Sequence, residues 1–229
     1  MSAVEVSGLS KAFVLHNQGA ARIGVLQDAA LTVAPGECVA LGGASGSGKS
    51  TLLRMLAGNY LATEGSIRVL GTELVGAPPR TIAALRRDRL GHVSQFLRVV
   101  PRVPARDVVA DPLLALGCAP DEARARAEDL LARLNLPERL WSLSPTTFSG
   151  GEQQRVNVAR GFVHPYPVLL LDEPTASLDG TNRDVVLSLI EAAKSRGAAV
   201  IGIFHDDVAR DRVCDRVVDV AEYAPQAAA

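Results

Sequence analysis

Residues 43–50 read GASGSGKS, a full match to the pattern G-x-x-x-x-G-K-[ST]. No other stretch constrains the fold as much, because this loop works only where a buried strand delivers it and a helix receives it. The run ECVALGG before it is strand-like, following a Pro35-Gly36 turn, and STLLRMLAG after it reads as a helix with Gly58 near its C-terminal end. Gly43, Gly46 and Gly48 permit backbone conformations closed to other residues and let amides approach an anion closely. Ala44, Ser45 and Ser47 complete the cradle between them. The amides at the helix start point at the anion, and the helix dipole adds to their field. Lys49 supplies a positive charge for β- and γ-phosphates, Ser50 a hydroxyl for Mg²⁺, and Thr51 a hydroxyl near an α-phosphate. The expected ligands are ATP and Mg²⁺.

Around this loop, short apolar runs alternate with amphipathic stretches, which predicts an α/β fold with a mainly parallel core sheet. VEVSGL reads as an edge strand, and Leu26 to Val33, SIRVL and GHVSQ as further strands. From about Ala105 to Val163 the pattern turns helical, in RDVVADPLLAL, DEARARAEDLLARLNL and GGEQQRVNVARGFV, with Pro112 and Pro137 interrupting or bounding the stretches. Strand character returns in PVLLLDEP, a continuous apolar run suited to a parallel strand buried on both faces. Thr181 to Arg196 reads as a helix, AAVIGIF as a strand and DRVVDV as the last strand, before a frayed tail APQAAA. The expected organisation is one domain, a core of about 1–96 and 165–229 interrupted by a helical insertion of about 97–164.

Bulk properties exclude several classes. With 24 Lys+Arg against 25 Asp+Glu there is no basic excess for nucleic acid. A local basic cluster at Arg80, Arg86, Arg87 and Arg89 fits either a solvated helix face or a partner-docking or anion-binding patch. No apolar run reaches the roughly 20 residues of a membrane-spanning helix, and no signal-peptide pattern opens the chain. A cytoplasmic location is expected. Cys38, Cys118 and Cys214 show no metal-binding spacing, so free or buried thiols are expected.

VLLLDE, residues 168–173, is an apolar strand ending in two carboxylates. Beside a phosphate-binding loop, Asp172 fits the carboxylate that holds Mg²⁺, and Glu173 fits a general base for the attacking water. FSGGEQQR, residues 148–155, places a capping Ser149 and two amide-exposing glycines, Gly150 and Gly151, at a helix start, followed by Glu152.

This last motif resembles the signature of the ABC ATPase family, with Phe148 and Glu152 standing where LSGGQ has Leu and Gln. Further marks of the resemblance follow in order: Phe13 in KAF for the aromatic that stacks on adenine, with Val14, Leu15 and His16 as neighbouring candidates; Gln95 in HVSQF for the Q-loop glutamine; Ser177 to Asp179 for the D-loop; and His205 in IGIFHD for the switch histidine. The resemblance spans Phe13 to His205. It implies an ABC nucleotide-binding domain with an antiparallel β subdomain, catalytic roles for Glu173, His205 and Gln95, and a metal site of Ser50, Gln95 and Asp172. It also implies a homodimer, or a heterodimer with a related ATPase, in which Ser149, Gly150, Gly151 and Glu152 of one subunit complete the partner's site. Most members of the family power membrane transporters. KAFVLH, SQFLRVVPR, LNLPERLWSLSPTTFSGGEQQRVN and GAAVIGIFHD are similar to the PhnL branch, which works with the other carbon–phosphorus lyase subunits in forming ribose 1-alkylphosphonate 5-triphosphate. The alternative is a transporter subunit.

Overall fold

A computed structural model describes residues 2–15 and 21–225. Its centre is an all-parallel sheet with the strand order β6-β7-β8-β3-β9, formed by β3 (Cys38–Gly42), β6 (Leu90–Val93), β7 (Val168–Asp172), β8 (Ala199–Ile203) and β9 (Arg216–Asp219). β7 and β8 are buried along their whole length, which explains their unbroken apolar sequences. Side-chain alternation then separates two cores. Leu169 and Leu171 face one, shared with α6 (Gly150–Phe162) and α7 (Gly180–Ser195). Val168 and Leu170 face the other, shared with α1 (Lys49–Leu56) and an antiparallel sheet.

That second sheet has the order β2-β1-β4-β5, from β1 (Val4–Leu15), β2 (Ala21–Val33), β4 (Glu64–Val69) and β5 (Thr72–Glu73). The expected edge strand at the N-terminus is therefore an interior one, since β1 pairs with β2 on one side and β4 on the other. A sequence alternation reports which face is buried and carries no information on how many neighbours a strand has. Both β1 and β2 run further than their apolar patterns, because cross-strand pairing carries them through exposed residues such as Val14 and Ile23.

Between β6 and β7 lie α3 (Ala105–Ala115), α4 (Pro120–Arg133), α5 (Glu138–Trp141) and α6. α3 passes through Pro112 without ending, while Pro137 stands as the N-cap of α5. The basic cluster falls on α2 (Pro79–Asp88), followed by Arg89, and α8 (Asp207–Val213) precedes β9. The end of the proposed frayed tail, residues 226–229, and His16 lie outside the described residues. Among the described residues no helix is long and apolar enough to cross a membrane.

Candidate nucleotide site

The C-terminal end of β3 opens into the 43–48 loop. Gly43 and Gly48 have φ of 115° and 99°, and Gly48 is the N-cap of α1. A Cβ on Gly43 would lie 2.7 Å from Ser47 Oγ, and one on Gly48 would lie 3.0 Å from Leu26 of β2. The loop is thus closed on the inside by its own Ser47 and by β2. On the outside, Gly46 has nothing within 4 Å of a Cβ, so that side is open. The Lys49 ammonium donates to the carbonyls of Gly43 and Ala44, at 2.6 and 2.8 Å, and so lies folded across the loop. Ser50 and Thr51 follow, half-buried, in the first turn of α1. Among the described residues Ser47 Oγ has no hydrogen-bond partner, and it is buried against the loop's interior beside Gly43, away from the open side.

Two strands away, β7 ends in Asp172, only 4% exposed. Burial, and then the neighbouring charge of Glu173, push its carboxyl above the usual carboxylate range. The chain turns sharply at Glu173, whose φ is 54° and whose N–H donates to the Ile203 carbonyl of β8 at 3.0 Å. Such a conformation in a residue with a side chain is held by its surroundings. Here the surroundings are that strand contact and Gln154 of α6, whose amide donates to the carbonyls of Glu173 and Pro174 at 3.1 and 3.0 Å. The turn aims the carboxylate at two other residues singled out from the sequence. His205 Nε2 lies 2.9 Å from Glu173 Oε1, and Gln95 Nε2 lies 3.4 Å from the same oxygen. Residues 78 and 32 positions from Glu173 thus converge on one atom.

The two helix starts are capped differently: a glycine without a side-chain cap precedes α1, whereas α6 has a full capping box. Ser149 Oγ accepts from the Glu152 N–H and donates to the Glu152 carboxylate, which also accepts from the Ser149 N–H. Gly151 lies against Ser177, where a Cβ would come within 2.8 Å of the Ser177 carbonyl. Among the described residues, Ser149, Gly150 and Gly151 have no hydrogen bond to the 43–48 loop, Glu173 or His205. Asp179 caps α7 by accepting from the Asn182 N–H. Phe13 lies on β1, opposite Ile23 of β2, with its ring edge-on to Tyr60 and 4.6 Å from the Lys11 ammonium.

Two buried polar residues were not singled out from the sequence as site residues. Gln154 holds the Glu173 turn, and Asn157 donates to the Ser94 carbonyl at 2.5 Å, next to Gln95. Their signal was present: polar amides three apart among Val156, Val158 and Ala159 mark one buried helix face whose donors require partners.

The donor set fits a Mg²⁺-nucleotide. Ser50, Gln95 and Asp172 offer oxygens, and the described residues hold no group of three His, Cys, Asp or Glu able to bind a metal unaided. An ion bound mainly by phosphates and water, with few protein oxygens, has the chemistry of Mg²⁺.

The family described as "ABC transporter" matches residues 26–176. The chain is 39% identical over 221 residues to a protein of Aeromonas hydrophila subsp. hydrophila named "Macrolide export ATP-binding/permease protein MacB 1", covering 96% of this chain and 33% of that one. It is 35% identical over 223 residues to a protein of Neisseria meningitidis serogroup B named "Macrolide export ATP-binding/permease protein MacB", covering 97% of this chain and 34% of that one. The chain therefore spans about a third of the length of these relatives. Their names do not carry the phosphonate branch to which several segments are similar. Among solved structures, "Dimeric Structure of MJ0796, a Bacterial ABC Transporter Cassette" has a TM-score of 0.87 at 27% identity over 95% of both chains. The same cassette in "a post-hydrolysis state … bound to ADP and Pi" gives the same values.

Proposed function

Because this chain belongs to the ABC transporter family, we propose that it is the ATP-hydrolysing cassette of a membrane exporter, working as a pair and coupled to a permease. The observation that carries this reading is the match of 96% of the chain to about a third of a protein whose name joins an ATP-binding part to a permease.

In this reading the loop of residues 43–50 cradles the phosphates, and Lys49 leaves its two carbonyls to meet them. Mg²⁺, when bound, would neutralise charge on the phosphate oxygens, and Ser50, Gln95 and Asp172 are the residues that would hold it. Glu173 takes a proton from the attacking water, while His205 and Gln95 fix the position of Oε1. Ser149 and the amides of Gly150 and Gly151 are left to a second subunit, since among the described residues they have no hydrogen bond to the 43–48 loop, Glu173 or His205.

A cleft of about 660 Å³ beside the site offers a seat for the permease. It is lined by the basic Arg54, Arg86, Arg98 and Arg160 and by His92, with Phe96, 72% exposed, at its side; of these, the arginines carry the charge. Gln95 and Asp172 also line it, so an element seated there touches the residues that handle metal and water. The basic lining suits a partner segment carrying carboxylates.

The test is purification of the tagged chain from solubilised membranes of its native source. A copurifying permease is the expected result. A second reading, a subunit of carbon–phosphorus lyase, is favoured by SQFLRVVPR, which contributes Phe96 and Arg98 to the cleft. Recovery of soluble lyase subunits with no membrane protein would establish that reading and overturn the first.

A further inference from the structure

Two of the three cysteines meet across 176 positions of sequence. Cys38 Sγ, at the start of β3, lies 3.4 Å from Cys214 Sγ, at the C-cap of α8. The backbone holds the pair from both sides. The Asp215 N–H donates to the Cys38 carbonyl at 2.8 Å, and the Cys38 N–H donates to the Asp215 carboxylate at 2.7 Å. Lys194 of α7 ties the same corner, donating to the Val213 carbonyl at 2.6 Å and to Asp215 at 3.0 Å. The sulfurs are thus in contact, against about 2.05 Å in a disulfide, and the two backbones beside them are hydrogen-bonded to each other. Neither thiol belongs to the nucleotide site.

We propose that Cys38 and Cys214 form a reversible dithiol–disulfide site, oxidised by low-molecular-weight disulfides. Cys214 is half-buried and Cys38 fully buried, so Cys214 is the entry point. The Cys214 thiolate attacks the small disulfide, whose sulfur–sulfur bond breaks and releases one thiolate. The Cys38 sulfur then attacks Cys214 Sγ and displaces the second small thiolate, which takes up the Cys38 proton. Two protein thiols are oxidised and one small disulfide is reduced to two thiols. The hydrogen bond to Cys214, and then burial, keep Cys38 protonated until that second step. The product fastens the end of α8, the helix that His205 and Asp206 lead into, to the base of the strand carrying the phosphate loop.

The experiment treats the folded protein with oxidised glutathione, alkylates the remaining thiols and maps peptides by mass spectrometry. The expected product has lost the mass of two hydrogens, carries a Cys38–Cys214 crosslink, retains a free Cys118, and is restored by dithiothreitol. Cys118→Ser leaves the crosslink unchanged. Cys38→Ala stops at a glutathione adduct on Cys214. Full alkylation of Cys38 and Cys214 in the treated wild type overturns the proposal, as does a crosslink through Cys118 or a wild-type product that stops at the Cys214 adduct. The wild-type map is decisive even if a cysteine variant folds poorly.

Discussion

At the scale of single residues, the account turns on one carboxylate oxygen. Glu173 Oε1 collects His205 and Gln95 because the turn after β7 holds Glu173 at a φ of 54°. The residue identities were legible in VLLLDE, HVSQF and IGIFHD, but their convergence was not, since it depends on the adjacency of β7 to β8 and β6. Asp172, one position earlier, is the complementary case. Its carboxyl is held above the usual range, so at neutral pH its ionised form is a burden to the folded apoprotein, relieved as pH falls and the carboxyl takes a proton. Asp172→Asn is therefore expected to raise the melting temperature of the apoprotein at neutral pH and to lower Mg²⁺-dependent ATP hydrolysis at least 10-fold, about 1.4 kcal/mol or more in transition-state stabilisation. Calorimetry and phosphate-release assays check the two signs.

At the scale of elements, α6 is the organiser. Its capping serine was legible from SGGE, yet its buried face was not read as functional, because Gln154 and Asn157 act on backbone carbonyls that no motif records. Replacing Gln154 by Leu leaves the Glu173 and Pro174 carbonyls without their donor, a cost of about 1–3 kcal/mol. The expected kinetic outcome is a fall in kcat with little change in ATP affinity, read by comparing turnover with nucleotide titration. The neighbouring strand β6 carries a pH dependence. Burial, and then the charges of Arg86 and Arg54, lower His92 from 6.5 to about 4. The imidazole is neutral in the fold, so its contribution is intact above about pH 6.5. It is lost progressively as pH falls toward 4, by up to about 3 kcal/mol. His92→Gln should flatten the difference in urea midpoint between pH 7 and pH 5. The interior position of β1 and the cleft beside α2 were invisible to sequence patterns, since both depend on which elements the chain lays side by side.

At the scale of the whole molecule, the parallel sheet presents the phosphate loop, Asp172, Glu173 and His205 at the C-terminal ends of its strands, while among the described residues Ser149, Gly150 and Gly151 at the capped start of α6 have no hydrogen bond to the loop, Glu173 or His205. The proposed function leaves that helix start to a second copy, so its central claim is that one chain holds half of each hydrolytic site and ATP closes two copies together. The relative solved as a dimer lends the claim support. The most direct measurement is sedimentation of the Glu173→Gln variant, in which binding is retained and hydrolysis slowed by about 10²-fold or more. The account predicts monomers without nucleotide and dimers with saturating ATP and Mg²⁺. A variant that binds ATP to saturation and remains monomeric would contradict it.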